Sequence, residues 1–509
     1  MANNANDLAF KKLHPSSPFF MLLDTIKEFF LIIIFAVFAS SQAETWQLWA
    51  IGVSSVFVLF RMIGIRFFSY AIDKEELVVK QGIFFKQVRN IPFERVQNIN
   101  ETQGIFHRFF KVSKASLESA SGQKPEAVFN VIAKQALEDI RAAVISKRFA
   151  QRDQSIIANA ATVNSENEKL FFMPSGEVML HGLVTLKGLI PIAIVWGLLA
   201  QQEALWDKLF TNWFSKIALA ANINSEVLAA SPAVFIASLF GLIVFGLLCF
   251  CVLSILYSIF KFYDFTLERQ EEKLLAKRGL LTKRTSSSSI QRIQKITLYE
   301  SVLHRLCKRM TISCKTAGNS AQGDGGTKFD ALAPLITQHE AKQLLKKVFP
   351  ELSWVYLKQD SAEWSPIPFR SWIRAVKWKI FFSILFCLFL AIWLKHWALA
   401  VFITASMWSI YSARREAKYA AYIYHNDYMV YRSDWINKTI SVVPLQKAHA
   451  LELKQNIFDK RHAMAAFEID TAGVSFLEHG IDIRYMEYKE AQRIYSQVIQ
   501  RTNQLDFQW

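Results

Sequence analysis

Residues 82–99, GIFFKQVRNIPFERVQNI, decide the fold of this 509-residue chain, because the same pattern returns twice further along. Gly82 matches Gly279 at a constant spacing of 197 residues, and the matched window needs no gap up to residue 120. A further step of 155 residues leads into a third, more divergent copy, in which Asp434 stands at the glycine position. A repeat unit of this length predicts three related domains.

Each copy alternates short extended segments with turn residues and then ends in a helical segment. In the first copy, residues 71–80 contain a charged turn followed by an apolar run, Gly82 breaks that run, and residues 83–91 read as extended again. In the second copy, Thr337-Gln-His-Glu340 is a capping-box sequence at the start of the terminal helix. Several short strands followed by one helix predict a small, open antiparallel barrel that the helix closes.

The order of these features resembles the bacterial pleckstrin-homology-like (PH-like) domain of the YdbS-like and YdbT-like multi-pass membrane proteins. The resemblance is carried by the motif Ile-Pro-x-x-Arg-x-Gln-x-Ile at residues 91–99 and by the Thr-Ala-Gly turns at residues 316–318 and 471–473. It covers nearly the whole chain in three copies, and it implies membrane hairpins beside PH-like domains. It implies no reaction, and it points to a role in envelope stress or in resistance to membrane-active peptides.

The composition predicts a membrane protein with basic soluble parts. Hydrophobic residues make up 52% of the chain, with 42 Phe and 14 Trp, beside a formal net charge of +16. The predicted fold class is α+β, with six transmembrane helices as three hairpins, each followed by a PH-like open β-barrel capped by a C-terminal helix. The six predicted spans are residues 29–43, 46–65, 183–200, 233–260, 379–394 and 397–413.

The predicted domain boundaries follow from these spans and copies. They give an N-terminal cytoplasmic segment at 1–25, transmembrane hairpins at 26–66, 181–261 and 377–414, PH-like domains at 67–150, 262–350 and 415–505, and linkers at 151–180 and 351–376. The extracytoplasmic segment 201–232 carries apolar residues at helical spacing, so it is either an amphipathic helix in the membrane interface or a helix packed on the spans. Residues 1–25 are either an approach to the bilayer surface or a disordered tail.

The distribution of basic residues sets the predicted orientation. The three predicted far-side segments contain only Lys208, Lys216 and Lys395 of the 59 Lys and Arg residues in the chain. We therefore expect the N-terminus and all three PH-like domains on the cytoplasmic side of the bacterial cytoplasmic (inner) membrane. The five cysteines contain no metal-type pair, and a reducing compartment suits the soluble parts.

The sequence contains no recognised catalytic motif, so we expect a protein that is not an enzyme and uses no cofactor or metal. It lacks Gly-x-Ser-x-Gly, His-Glu-x-x-His, Gly-x-Gly-x-x-Gly and Cys-x-x-Cys. His107 and His304 occupy matching positions, but neither has a carboxylate partner at a repeated position, and Asp459 replaces them in the third copy. A catalytic role for these histidines is therefore not expected.

The candidate contact residues are basic side chains at matched positions of the three copies. They are Arg95, Arg108 and Lys111 in the first copy, Arg292, Arg305 and Lys308 in the second, and Lys447, Lys460 and Arg461 in the third. If they gather at the membrane-facing end of each barrel, they can bind anionic lipid head groups or an acidic partner. The alternative is a structural role, in which such an arginine donates hydrogen bonds to carbonyl groups at strand ends.

We therefore expect a membrane-embedded, non-enzymatic binding or scaffold protein that presents three cytoplasmic PH-like domains. The alternative is a lipid or small-molecule translocator whose hairpins form the pathway. The expected partners are membrane lipids and either a second PH-like-domain membrane protein or another copy of the chain, since open sheets offer strand edges for pairing. Nucleic acid is not an expected partner, because membrane topology already explains the positive charge.

Overall fold

The same order of elements occurs three times along the chain. A computed structural model describes residues 9–25, 60–119 without 74 and 84, 125–152, 168–185, 232–317, 329–352, 363–394, 397–471 without 426, and 480–504, with the single positions 52, 56 and 58. Each repeat contains a short strand, two helices, four strands, a five-residue helix, two strands and a terminal helix. The repeat found in the sequence is therefore a repeat of structure.

The first repeat runs from residue 11 to residue 152. Its elements are β1 (Lys11–Lys12), α1 (17–25), α2 (60–66), β2 (Ser69–Ile72), β3 (Glu76–Gln81), β4 (Gln87–Pro92), β5 (Val96–Gln103), α3 (Ile105–Phe109), β6 (Val112–Ser119), β7 (Ala127–Ala133) and α4 (Lys134–Arg152). Gly82, between β3 and β4, has a φ of +107°, and a Cβ at this position would overlap the carbonyl oxygen of Phe85. Only glycine fits such a turn, so the glycine of the repeated motif fixes the β3–β4 hairpin.

The second repeat runs from residue 168 to residue 348. Its elements are β8 (Glu168–Phe172), α5 (Ser175–Thr185), α6 (Pro232–Phe262), β9 (Thr266–Gln270), β10 (Lys273–Arg278), β11 (Lys283–Ser289), β12 (Ile293–Glu300), α7 (Val302–Leu306), β13 (Arg309–Thr316), β14 (Ala331–Thr337) and α8 (Gln338–Val348). The predicted capping box at the start of α8 is confirmed: the side chain of Thr337 accepts from the backbone N–H of Glu340, and that of Glu340 accepts from the backbone N–H of Thr337. The face of α8 that carries Leu344 and Leu345 is buried against the sheet.

The third repeat runs from residue 365 to residue 504. Its elements are β15 (Ser365–Pro366), α9 (Ser371–Leu394), α10 (Trp397–Tyr419), β16 (Ala421–His425), β17 (Tyr428–Ser433), β18 (Lys438–Pro444), β19 (Ala448–Lys454), α11 (Ile457–Arg461), β20 (Met464–Thr471), β21 (Ile481–Glu487) and α12 (Tyr488–Gln504). The short strands β1, β8 and β15 pair with β2, β9 and β16. The chain before each pair of helices therefore joins the same sheet as the chain after it.

The sheets cross the boundaries between repeats. All pairings are antiparallel, and the strand orders are β1-β2-β3-β4, β7-β6-β5-β11-β10-β9-β8, β14-β13-β12-β18-β17-β16-β15 and β19-β20-β21. The second half of one repeat and the first half of the next thus form one seven-stranded sheet, through the pairs β5–β11 and β12–β18. The sequence predicted three separate barrels. The observed sheets differ from this prediction because the backbone N–H and C=O groups along one edge of β5 and of β12 form hydrogen bonds with a strand of the following repeat.

The hydrophobic core follows the sheets. The first and third repeats each contain a cluster of their own, around Phe93 and Phe129 in the first and around Phe467 in the third. The largest cluster belongs to the second repeat, and it includes Ile440 and Val442 of β18, in the third repeat. The second and third repeats therefore share buried apolar surface as well as a sheet.

The prediction of six transmembrane helices in three hairpins is wrong for the part of the chain that the structure describes. Within those residues one helix is long and apolar enough to cross a membrane, the 19-residue stretch Val244–Phe262 of α6. In α9 the basic residues Arg374, Lys377 and Lys379 occupy the first half, and α10 ends in Arg414, Arg415 and Lys418, so each described apolar stretch is shorter than the ~20 residues that a span needs. Residues 26–51, 153–167, 186–231 and 353–362 lie outside the described part of the chain. They hold most of the first predicted hairpin, most of the predicted span 183–200, nearly all of the segment 201–232 and parts of both linkers.

Candidate functional site

The nine candidate residues fall into two positions of the repeat. Arg95, Arg292 and Lys447 lie just before β5, β12 and β19, at the corner between the two halves of each repeat. The remaining six lie on or beside the five-residue helices α3, α7 and α11. Within each repeat the candidates thus form two groups, one corner residue and one short-helix group.

The corner residues of the second and third repeats are buried. Arg292 is 5% exposed and donates to the carbonyl oxygen of Ala317 at 2.6 Å, while Lys447 is 6% exposed. Burial lowers the pKa of both groups, because removal from water disfavours their charged forms. Arg95 is exposed at the matched position of the first repeat. The contact made by Arg292 is a hydrogen bond to a strand-end carbonyl, which is the structural role weighed in the sequence analysis.

The short helices combine exposed apolar side chains with basic ones. The most exposed apolar residue is Phe109 in α3 (80%), Leu306 in α7 (74%) and Ile457 in α11 (86%). Lys111, Lys308, Lys460 and Arg461 are all exposed beside them. Aromatic and aliphatic side chains next to Lys and Arg are typical of surfaces that contact a membrane interface. We call these three helices with their flanking lysines the short-helix tips.

Two of the arginines reach across to the next repeat. The guanidinium of Arg108 donates to the carbonyl oxygens of Leu280 and Leu281, both at 3.2 Å. Arg305 donates to the carbonyl oxygen of Ile436 at 2.9 Å. Leu281 and Ile436 are 155 residues apart and are therefore equivalent positions of the repeat. Arg108 thus binds the loop between β10 and β11, and Arg305 binds the equivalent loop between β17 and β18 of the following repeat.

The loops held by these arginines lie against long helices. Leu280 donates its backbone N–H to the carbonyl oxygen of Phe260 at 3.2 Å, and Gly279 donates to that of Tyr263 at 2.9 Å, at the end of the apolar span in α6. In the third repeat, the ring of Trp435 packs edge-on against Tyr411 of α10, with centroids 5.6 Å apart. Because Arg108 of α3 contacts the loop at Leu280, which adjoins the end of the apolar span, α3 lies near that end of α6.

A cavity lies beside the loop that Arg305 holds. It has a volume of about 340 Å³, and its lining includes Lys379, Trp408, Glu416, Asp434 and Trp435. Burial raises the pKa of the Asp434 carboxyl, and the charge of Lys379 opposes that effect. The cavity is open to solvent and mixes both signs of charge with two indole rings, so it suits a small polar group more than an apolar molecule.

The two matched histidines are part of the packing. His304 is fully buried, with Nδ1 at 2.7 Å from the hydroxyl of Ser301 and Nε2 at 3.2 Å from that of Thr311. The ring of His107 lies over Phe20 of α1, with centroids 4.0 Å apart. Within the described residues, no group of three His, Cys, Asp or Glu side chains is placed to hold a metal ion.

A buried ion pair in the third repeat was not predicted from the sequence. Arg374 of α9 donates to the carboxylate of Asp459 in α11 at 2.9 Å, and both side chains are buried. Asp459 stands at the position of His107 and His304, and this exchange of residue type was the available signal. The partner, 85 positions away, could not be read from the repeat.

The fold and these contacts define a class: a chain of tandem small β-domains that are joined through shared sheets and carry short-helix tips. Among the described residues, one helix stretch is long and apolar enough to cross a membrane. The family model described as "Bacterial PH domain" matches residues 21–152, 224–351 and 380–502, which is well over half of the chain. The chain belongs to this family, as its resemblance predicted.

One curated relative matches along nearly its full length. The chain is 24% identical over 491 residues to UPF0699 transmembrane protein YdbT of Bacillus subtilis (strain 168), covering 92% of this chain and 94% of that protein. The name of that relative and the apolar span in α6 together support membrane association of this chain. No solved structure matches the chain.

Proposed function

We propose that the chain is a membrane-anchored, non-enzymatic scaffold whose short-helix tips contact anionic lipid head groups on the cytoplasmic face of the membrane. The observation that carries the proposal is that exposed apolar side chains and exposed Lys or Arg occur together on or beside the short helix of all three repeats. A polybasic surface near an anionic leaflet gains about 1 kcal/mol for each Lys or Arg. The apolar side chains would add to this by inserting at the head-group boundary.

The cytoplasmic orientation is part of this proposal. Lys261 lies at the end of the apolar span, and Arg278 and Arg284 follow it within the first strands of the second repeat. Basic residues that flank a span favour the cytoplasmic side. Because the sheets join the repeats, the same orientation places the short-helix tips of all three repeats in the cytoplasm.

The test uses the full chain, because an isolated second repeat would lose the strands β5 and β18 that complete its sheets. The substitutions Lys111→Gln, Lys308→Gln and Arg461→Gln are combined, since they remove one charge per repeat without touching the junction arginines. We expect each site to lose about fivefold in affinity for phosphatidylglycerol, since one charge is worth about 1 kcal/mol. Native mass spectrometry from nanodiscs counts the phosphatidylglycerol and phosphatidylcholine that remain bound.

The matched control is Lys134→Gln, Lys342→Gln and Lys489→Gln, which removes one exposed lysine from each terminal helix, α4, α8 and α12. This variant carries the same net charge as the test variant, so a difference between them reports position alone. Equal retention of phosphatidylglycerol by the two variants would contradict the proposal.

The translocator alternative differs in a measurable way. A scaffold leaves the exchange of labelled lipid between leaflets unchanged when the full chain is reconstituted in vesicles, whereas a translocator accelerates it. The role in envelope stress or in resistance to membrane-active peptides, implied by the family resemblance, would follow from a scaffold that gathers anionic lipid beneath the membrane.

A further inference from the structure

At both junctions between consecutive repeats, the strands pair in the same register. At the first junction, β5 pairs with β11 so that Gln103 lies opposite Lys283. At the second, β12 pairs with β18 so that Glu300 lies opposite Lys438. Glu300 is 197 residues after Gln103, and Lys438 is 155 residues after Lys283, so the two pairs are the same pair of repeat positions. Arg108 and Arg305 reinforce the two junctions with equivalent hydrogen bonds.

The first and third repeats each contain one strand that would continue this series. β19 is the third-repeat equivalent of β5 and β12, and β4 is the first-repeat equivalent of β11 and β18. Within the described part of the chain, β19 pairs with β20 alone and β4 pairs with β3 alone. Each of these strands therefore offers one open edge, and the two edges are complementary halves of the junction that the molecule makes twice.

The exposure of the two strands agrees with open edges. Residues 87–90 of β4 are all exposed, whereas the matched residues of β18 are mostly buried. Along β19, positions 449, 450, 452 and 454 are exposed, whereas the matched strand β12 is buried at every second position. An exposed strand edge is a template for pairing with another chain.

We propose that β19 of one copy pairs with β4 of a second copy, head to tail, in the register of the two internal junctions. That register places Glu452 opposite Arg89, Leu453 opposite Val88 and Leu451 opposite Asn90. The first pair joins opposite charges and the second joins apolar side chains, and both kinds of cross-strand pair stabilise a sheet. Lys460 stands at the position of Arg108 and Arg305, so it faces the carbonyl group of Ile83 in the second copy, which is equivalent to Leu280.

The partner that pairs with these open strand edges is a second copy of the chain, because the chain itself carries both strands of the junction. A head-to-tail contact of this kind is heterologous, so it generates a closed ring or an open row of copies. The inference goes beyond the proposed lipid contact and stands on the strand register alone. Charged residues on an edge can also serve to block pairing, and the test below separates that role from a specific register.

The test places two full-length chains with different tags together in one membrane. One chain carries Glu452→Cys and the other carries Arg89→Cys, and mild oxidation is followed by a non-reducing gel. Residues directly opposite in an antiparallel pair have Cα atoms about 4.5–5.5 Å apart, which is within disulfide range. We expect a disulfide-linked dimer that contains both tags, well above the background that the five native cysteines give with the unsubstituted chain.

The control moves one cysteine by a single position. Val88→Cys is as accessible as Arg89→Cys, but its side chain points to the other face of β4. We expect at least about tenfold less cross-linking of Glu452→Cys with Val88→Cys than with Arg89→Cys. Equal cross-linking of the two, or none with either, would overturn the proposal.

A charge exchange tests the same contact without cysteines. Glu452→Arg should lower the fraction of associated copies by severalfold, and adding Arg89→Glu should restore it, as counted by single-molecule photobleaching in native nanodiscs. Association that is unchanged by Glu452→Arg would contradict the proposed register. Finding another protein, instead of a second copy of this chain, bound to β19 would also contradict the proposal. The lipid-contact variant Lys111→Gln, Lys308→Gln, Arg461→Gln leaves both strands intact, so loss of lipid preference with retained cross-linking separates the two proposals.

Discussion

At the residue scale, one repeated position shows how a single side chain fixes the backbone. Gly82 and Gly279 adopt φ values of +107° and +109°, and a Cβ at either would overlap a backbone carbonyl oxygen. In the third repeat Asp434 takes the position with a φ of +61°, a left-handed value that aspartate tolerates. Its N–H donates to the carboxylate of Glu416 at 3.1 Å, and burial raises the pKa of both carboxyls. The third turn is therefore stabilised by a side chain and a hydrogen bond, whereas the first two turns depend on glycine.

The residue-scale prediction is that Gly279→Ala destabilises the chain by about 1 kcal/mol or more, because alanine there is strained in φ and its Cβ meets the carbonyl of Thr282. The melting temperature of the purified full chain, followed by intrinsic fluorescence, measures the effect. Gly176→Ala is the control, since a Cβ there has no neighbour within 4 Å. If the Gly279→Ala chain had the same melting temperature as the wild-type chain, the claim that this turn requires glycine would be contradicted.

At the scale of elements, each short helix packs against the first long helix of its own repeat by a different chemistry. In the first repeat, Phe20 of α1 lies over His107 of α3. In the second, Glu177 of α5 accepts from Arg309, the first residue of β13, which follows α7, at 2.7 Å. In the third, Arg374 of α9 pairs with Asp459 of α11, and the guanidinium also lies over the ring of Phe458. The contact between this helix and the short-helix region occurs in all three repeats, although different residues make it in each.

The element-scale prediction concerns the buried pair. Asp459→Asn keeps the shape of the side chain but leaves the charge of Arg374 without its carboxylate, so we expect a loss of about 3–5 kcal/mol. Adding Arg374→Met should recover much of this loss, because the uncompensated charge is removed. Thermal unfolding of the full chain measures both variants.

The exposed pair Lys347–Glu168, at 2.8 Å, gives the matched control. Glu168→Gln should cost no more than about 1 kcal/mol, as is usual for surface pairs. If Asp459→Asn were as mild as Glu168→Gln, the pair between α9 and α11 would contribute little to packing.

At the scale of the whole molecule, the repeats are joined by backbone hydrogen bonds and by a common core. Leu298 of β12 lies opposite Ile440 of β18, and both belong to one buried cluster. We therefore expect a perturbation in the second repeat to reach the third. The shared sheets join the three domains into one array.

The whole-molecule prediction is that Leu298→Ala, which should cost about 2–5 kcal/mol, increases hydrogen exchange in β18 as well as in β12. Mass spectrometry of exchanged peptides measures this in the full chain. Leu137→Ala, an equally buried substitution in the core of the first repeat, is the control and should leave β18 protected. Protection of β18 that does not change with Leu298→Ala would mean that the third repeat is independent of the second.

The sequence by itself determined the threefold repeat, the glycine turns, the α8 capping box and the positions of the basic residues, because these depend on local backbone preferences and on regular spacing. It overestimated the membrane-spanning helices, because apolar runs in α9 and α10 were read without the charged turns that share those helices. Only the tertiary structure decided that sheets cross the repeat boundaries, that Arg108 and Arg305 bind the following repeat, and that Arg374 meets Asp459. These are pairings between residues 85 to 184 positions apart. Local patterning does not encode them, because antiparallel edges can pair with any strand that tertiary packing brings alongside.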